Sequence, residues 1–188
     1  MADTVVRIER CAFGYCSSLL FIRLSINLEY IRGSAFTHCI ILKSIFIPST
    51  CREIGGSAFA SNKNLTIFNV FRDTEIGKNA ICRTKLLRDS HFELNERGTY
   101  HDQTDDVHNW LKNMNNDEKY SLHRACASFQ PLKEVLLTIV RAKGIGAFTV
   151  KNETGITPSQ YLRENPYAEI EERDIVRDYV MKMMGEYN

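Results

Sequence analysis

The chain has 188 residues, of which 44% are hydrophobic and 25% charged, a balance that excludes general disorder and a disulfide-stapled miniprotein. Twenty-four Lys plus Arg stand against 23 Asp plus Glu, and a net charge of +1 gives no electrostatic case for a nucleic-acid or membrane-surface protein. The most apolar run, residues 39 to 48, is interrupted by Lys43 and is too short to span a bilayer.

Residues 1 to 10 carry Asp3, Arg7, Glu9 and Arg10, which is not a secretory leader pattern. The six scattered cysteines (11, 16, 39, 51, 82 and 126) then suit a reduced, cytoplasmic chain. The glycosylation triplets at Asn64 and Asn152 read as chance matches on that basis.

From Ile8 onward the sequence repeats itself every 23 residues. The series Ile8, Ile31, Ile54 is followed by Ala12, Ala35, Ala58 and by Phe13, Phe36, Phe59. Further columns are Cys16, Cys39, Asn62; Leu19, Leu42, Leu65; Ile22, Ile45, Phe68; and Leu24, Ile47, Val70. One copy cannot bury its apolar face alone, so the period implies a solenoid stabilised by neighbour interfaces. Leu-x-x-Ile-x-Leu ends in a period-two pair and predicts a short strand with one buried face. Stacking places the three Phe in one ladder and the three Leu in another. Ala sits where backbones approach.

The segment Ile31-Arg-Gly-Ser-Ala-Phe-Thr-His-Cys-Ile-Ile-Leu-Lys-Ser-Ile-Phe-Ile-Pro48 resembles the BspA-type leucine-rich repeat. The third copy, from Ile54-Gly55, is nearly as close, and the first is atypical at Arg10 and Cys11. A degraded fourth copy runs from Ile76 through Ala80-Ile81 to Leu86-Leu87, one residue out of phase, with Ile81 in place of Phe. In this resemblance Cys16 and Cys39 are buried ladder residues.

Residues 89 to 103 lose both periodicities and read as a linker or irregular cap. Thr104 is the expected N-cap of a helix with Asp105 and Asp106 in its first turn and Val107, Trp110, Leu111 and Met114 as its stripe. A helical stripe through Leu122, Ala125, Cys126 and Phe129 follows, then a helix over about 132 to 143 stopped by Gly144. Asn152 to Gly155 predicts a turn. Thr157, Pro158 and Gln160 supply N-cap, N1 and N3 of a helix ended by Pro166. A last helix is expected over about 171 to 184. Ser121-Leu-His-Arg-Ala125 and Gly155-Ile-Thr-Pro158 resemble ankyrin repeats. That resemblance gives His123 a turn-ordering role through backbone hydrogen bonds.

The expected fold is therefore α+β: repeats over 1–88, a linker or cap over 89–103 and an ankyrin-like helical region over 104–188. The expected function is a non-catalytic protein-interaction or scaffold module. Arg23, Lys43 and Thr66 alternate with the buried columns and are the candidate partner surface. No cofactor or metal site is expected, and no nucleotide, hydrolase or zinc-protease motif occurs. The alternative is a structural fragment of a longer array that self-associates through the first copy's open face. A third reading is a metal-dependent activity among His91, His101, Asp102, Asp105, Asp106 and His108. Arg83, Lys85 and Arg88 form a basic cluster read as a solvated edge. Met181, Met183 and Met184 read as core.

Overall fold

The computed structural model describes residues 1–100, 103–128, 145–168 and 173–174. The expected helices over 132 to 143 and 171 to 184, and with them Phe129, Gly144 and the terminal methionines, lie outside the described residues. The chain divides into two compact units, Met1–Asn115 and Asn116–Asn188.

In the first unit the 23-residue period is a structural register. Strands β1 (Arg7–Ile8), β2 (Tyr30–Ile31), β4 (Glu53–Ile54) and β6 (Glu75–Ile76) form one parallel sheet in the order β1-β2-β4-β6. Ile8 pairs with Ile31, Ile31 with Ile54, and Ile54 with Ile76. The last step is 22 residues, the phase slip expected of the degraded copy. Strands β3 (Ser44–Phe46) and β5 (Ile67–Asn69) form a second parallel pair, Ile45 opposite Phe68.

Between the sheets each copy turns on the Ala-Phe pair. Phe13, Phe36 and Phe59 stack face to face at 5.0 and 5.1 Å with interplanar angles of 2° and 4°. The backbone steps with them: Phe13 N donates to Ala35 O, Phe36 N to Ala58 O and Phe59 N to Ala80 O at 2.7 to 2.8 Å. Ala80 and Ile81 are fully buried, so the fourth copy keeps the turn with Ile in the Phe place.

Two backbone positions per copy are left-handed without glycine. One series is Cys11, Ser34, Ser57 and Asn79; the other is Tyr15, His38, Ser61 and Arg83, all with φ between 57° and 62°. Such residues carry strain of order 1 kcal/mol. The hydrogen bonds to the next copy hold them there, as Ser57 N to Lys78 O at 3.0 Å and Ser61 N to Cys82 O at 2.8 Å illustrate.

Several sequence expectations are corrected. Cys39 is buried, but Cys16, its equivalent in the first copy, is exposed. The first copy also forms no second strand at 19 to 24. Strands β3 and β5 bury all three residues each, rather than one face. A further column, Val5, Leu28, Cys51 and Thr74, belongs to the core. Its mixed chemistry hid it; Thr74 Oγ1 satisfies itself by donating to Cys51 O at 2.9 Å.

The fourth copy closes in α1 (Lys85–Arg88), capped by Thr84, whose hydroxyl accepts from Leu87 N at 3.2 Å. Segment 89 to 100 lies on this copy. Phe92 and Leu94 pack on the core, and Tyr100 is buried with its hydroxyl accepting from Ile81 N. Helix α2 (Thr104–Asn116) contributes Val107, Trp110, Leu111 and Met114 to the same core. All but the last residue of α2 thus belongs to the first unit, which ends at Asn115. Thr104 is the first helical residue and its hydroxyl donates to Tyr100 O. Asn115 ties α2 to β5 by donating to Phe68 O at 3.1 Å.

The second unit holds α3 (Ser121–Cys126) and α4 (Pro158–Glu164) with 3-10 turns at Glu118–Tyr120 and Ile145–Thr149. The expected start of α4 is present. Thr157 Oγ1 accepts from Gln160 N at 3.3 Å, and Gln160 Oε1 accepts from Thr157 N at 2.8 Å. Asn152 orders the preceding turn by accepting from Thr154 N and Ile156 N. Gly155 follows at φ 77°. Asn165 links the two helices by donating to Cys126 O and Ser128 O at 2.9 and 2.8 Å.

Candidate functional site

The stacked copies place side chains of equivalent position in columns, and those that leave the core form the outer surface. Leu20, Lys43 and Thr66 share one column. Leu20 and Lys43 are exposed, and Thr66 is partly exposed with its hydroxyl donating to Lys43 O at 3.4 Å. The Lys43 ammonium has no carboxylate partner among the described residues. Beside it runs the column Ser17, Ile40 and Lys63, exposed in every copy.

Arg23 lies elsewhere. Its equivalents are Phe46 and Asn69, both buried. Arg23 itself is half-exposed and donates to Asp3 at 3.1 Å. That guanidinium holds the Asp3 carboxyl below its ordinary value. The three candidates therefore do not form one stripe: Lys43 and Thr66 are neighbours, while Arg23 braces the start of the chain.

The outer face of the four-stranded sheet is charged but internally paired. Arg7 and Arg32 lie over the Tyr30 ring at 5.1 and 4.9 Å. Arg32 also pairs with Glu53 at 2.8 Å, and Arg52 with Glu29 at 3.6 Å. Sequence reading missed this ladder because its members differ from copy to copy.

The His/Asp-rich segment is dispersed. His91 packs on Phe92 and meets the edge of Trp110, whereas His108 meets the edge of Tyr100. Asp105 and Asp106 are exposed in the first turn of α2, where the helix dipole favours them. His101 and Asp102 lie outside the described residues. Among the described residues no group of His, Cys, Asp and Glu is placed to hold a metal ion.

The cysteines divide by environment. All six are free thiols; Cys11 and Cys16 are exposed, and Cys39, Cys51, Cys82 and Cys126 are buried. Burial pushes the Cys39 thiol up to about 11 and Cys51 up to about 12, and raises Cys82 and Cys126 as well. The thiolate is the reactive form, so these four are inert in the folded protein. Native alkylation with iodoacetamide is expected to label Cys11 and Cys16 alone, with the other four labelled only in denaturant. Peptide mass spectrometry reads the result, and native labelling of Cys39 or Cys51 would contradict the packing.

His123 joins α3 to the turn that precedes α4, its Nε2 lying 3.0 Å from Ile156 O. Desolvation lowers its pKa below 6.5, outweighing the carbonyls of Ile156 and Val150, which favour the charged ring. His108 is lowered in the same direction, first by desolvation. A base depressed in the fold is neutral in both states above its unfolded pKa, and below it the unfolded chain takes up the proton more readily. Stability is therefore lost as pH falls below about 6.5. Thermal melts from pH 7.5 to 5 are expected to show falling stability. In a His108→Gln/His123→Gln double variant this slope flattens; an unchanged slope would remove both histidines from the account.

Parallel rungs of 23 residues, a buried Ile/Phe/Leu ladder and columns of variable outer residues define a repeat protein of the leucine-rich class. The family model described as "BspA type Leucine rich repeat region (6 copies)" matches residues 1–97, and the chain belongs to that family. Among solved structures, a leucine-rich repeat protein of T. pallidum is 33% identical with a TM-score of 0.39. The match covers 42% of this chain and 37% of that one. A leucine-rich repeat protein from Bacteroides ovatus is likewise 33% identical with a TM-score of 0.39, over 40% of this chain and 20% of that one. The chain thus spans well under half the length of either. Among curated proteins none matches. Among the described residues no helix is long and apolar enough to cross a membrane.

Proposed function

We propose that the protein is a non-catalytic interaction module, a short solenoid that binds a protein partner on its outer columns. The observation that carries this reading is the column Leu20, Lys43, Thr66 beside Ser17, Ile40, Lys63. Successive copies present different chemistry at one repeated spacing while the buried ladder beneath stays constant. Such positions change without cost to the fold, which is how repeat proteins acquire partners. Proteins of this repeat class commonly mediate protein–protein interaction, in line with the family match. Lys43 and Thr66 are assigned to the contact, and Arg23 to its margin.

The residues from Asn116 onward are read as ankyrin-like. Their support is the bond from His123 to Ile156, 33 residues apart, and the Asn152–Gly155 turn feeding the Thr157 cap. On this reading the unit is a further interaction element rather than a source of chemistry.

The test is affinity capture with the intact protein and a Lys43→Glu/Thr66→Arg variant of unchanged melting temperature. A defined set of proteins held by the first and lost by the second supports the reading. Identical captures, or a turnover abolished by His108→Ala, would overturn it.

A second reading, self-association through the first copy, rests on its exposed apolar side chains. Tyr15 is 72% exposed, Phe21 68% and Leu20 53%. Monomeric proteins seldom leave such a group uncovered. Light scattering across concentration is expected to show dimers that Phe21→Glu dissociates; a monomer at every concentration would exclude this reading.

A further inference from the structure

A basic cavity of about 510 Å³ opens where copies two to four meet the turn at 94 to 98. Its lining includes His38, Lys63, Arg83 and Arg88, with Glu96 as its one acid and Ile40 and Leu94 as its apolar members. We propose that this cavity binds an acidic segment of a partner protein, an extended peptide carrying carboxylates. The proposal rests on the interaction-module reading and names the partner's chemistry.

The cations are held in place but not neutralised. Arg83 Nε donates to Arg97 O at 2.6 Å, and Arg88 Nη2 donates to Lys63 O at 2.9 Å. Each bond fixes a guanidinium on a neutral carbonyl and leaves its other N–H groups available for a carboxylate. Among the described residues neither arginine nor Lys63 has a carboxylate within ion-pair distance. Lys85 is excluded from the site, since it is paired with Asp89 at 2.6 Å.

The turn is built to hold this arrangement. Asn95 Oδ1 accepts from Arg97 N and Thr99 N at 2.9 and 3.0 Å, and Asn95 O accepts from Gly98 N. Gly98, at φ 67°, rests on the Arg83 stem, where a Cβ would come within 3.0 Å of Cγ. The guanidinium is therefore positioned before any ligand arrives, which lowers the ordering cost of binding. The apolar lining of Ile40 and Leu94 and the volume favour a peptide over a small free anion, which would leave most of the cavity unfilled.

The experiment is fluorescence anisotropy with labelled hexaglutamate and hexaglutamine peptides and with inorganic phosphate as competitor. The full chain is compared with Lys63→Gln, Arg88→Gln, their double variant and Lys43→Glu, each checked for an unchanged melt. Hexaglutamate is expected to bind, to weaken with salt, and to lose about tenfold in affinity in the double variant, with hexaglutamine inert. Lys43→Glu is expected to leave this binding intact. Four results would overturn the site: no binding of hexaglutamate, equal binding of hexaglutamine, an unaffected double variant, or displacement by phosphate at equal concentration. Loss only in Lys43→Glu would refute the cavity and keep the outer-column reading. Loss only in the double variant, with Lys43→Glu/Thr66→Arg still capturing every partner, would do the reverse.

Discussion

Phe36→Ala is expected to cost about 3–5 kcal/mol, read as a fall in the urea midpoint at constant slope. Phe36 is fully buried and is the middle of three stacked rings, with Phe13 on one side and Phe59 on the other. Removing it leaves a cavity and breaks two aromatic pairs, each contributing about 0.5–1.5 kcal/mol beyond its area. It also weakens the interface between neighbouring copies at the centre of the stack, on which a quasi-one-dimensional protein depends. Phe13, at the end of the ladder, is only half-buried and has one ring neighbour. Phe13→Ala should therefore cost about half as much. Equal losses at the two positions would show that the rings do not act as a stack.

Gly55→Ala is the second large effect. A Cβ at Gly55 would stand 2.4 Å from Gly33 N and 2.8 Å from Arg32 C. Both are backbone atoms of the preceding copy, so no side chain can move aside. The two copies must separate at a point where Gly55 N donates to Ile31 O at 2.7 Å. We expect a loss of about 3 kcal/mol, at the upper end for overpacking a tight contact. Gly77 makes the same approach to the Gly55–Gly56 peptide, and Gly77→Ala should behave alike. The equivalent residue one copy earlier is Arg32, and there the rung is longer, Arg32 N to Ile8 O at 2.9 Å. Gly146→Ala is the control, with nothing within 4 Å of the added carbon. Chemical denaturation ranks the variants; Gly55→Ala matching Gly146→Ala would refute the close approach.

The ladder was legible because a parallel register forces the same side chain into the same environment in every copy. Ile8, Ile31 and Ile54 are the plainest case, and even the slip to Ile76 left a trace. The caps at Thr157 and Gln160 were legible for a local reason, since a capping box is encoded within four residues.

Other features had no such signal. The left-handed positions are marked by Cys11, Tyr15, His38 and Arg83 rather than by glycine, because contacts to the next copy impose the conformation. Strict alternation placed Arg23 outside, yet its equivalents Phe46 and Asn69 are buried, so both faces of that short sheet are covered. The burial expected of Cys16 failed in the first copy, whose ladder residue is exposed where its equivalent Cys39 is buried. Arg83 and Arg88 were visible as charges in the sequence, but their pairing with Lys63 and the turn at 94 to 98 is a product of the fold.

The central claim is that the outer columns of the repeats form a contact surface for another protein. The most direct measurement places a photo-cross-linking residue at Lys43 in the intact protein, with Arg72, an exposed position away from that column, as control. The account predicts one discrete cross-linked product at position 43, absent at 72 and competed by unlabelled protein but not by the Lys43→Glu/Thr66→Arg variant. The same product at both positions, or none at 43 under conditions where the protein is folded, would contradict it.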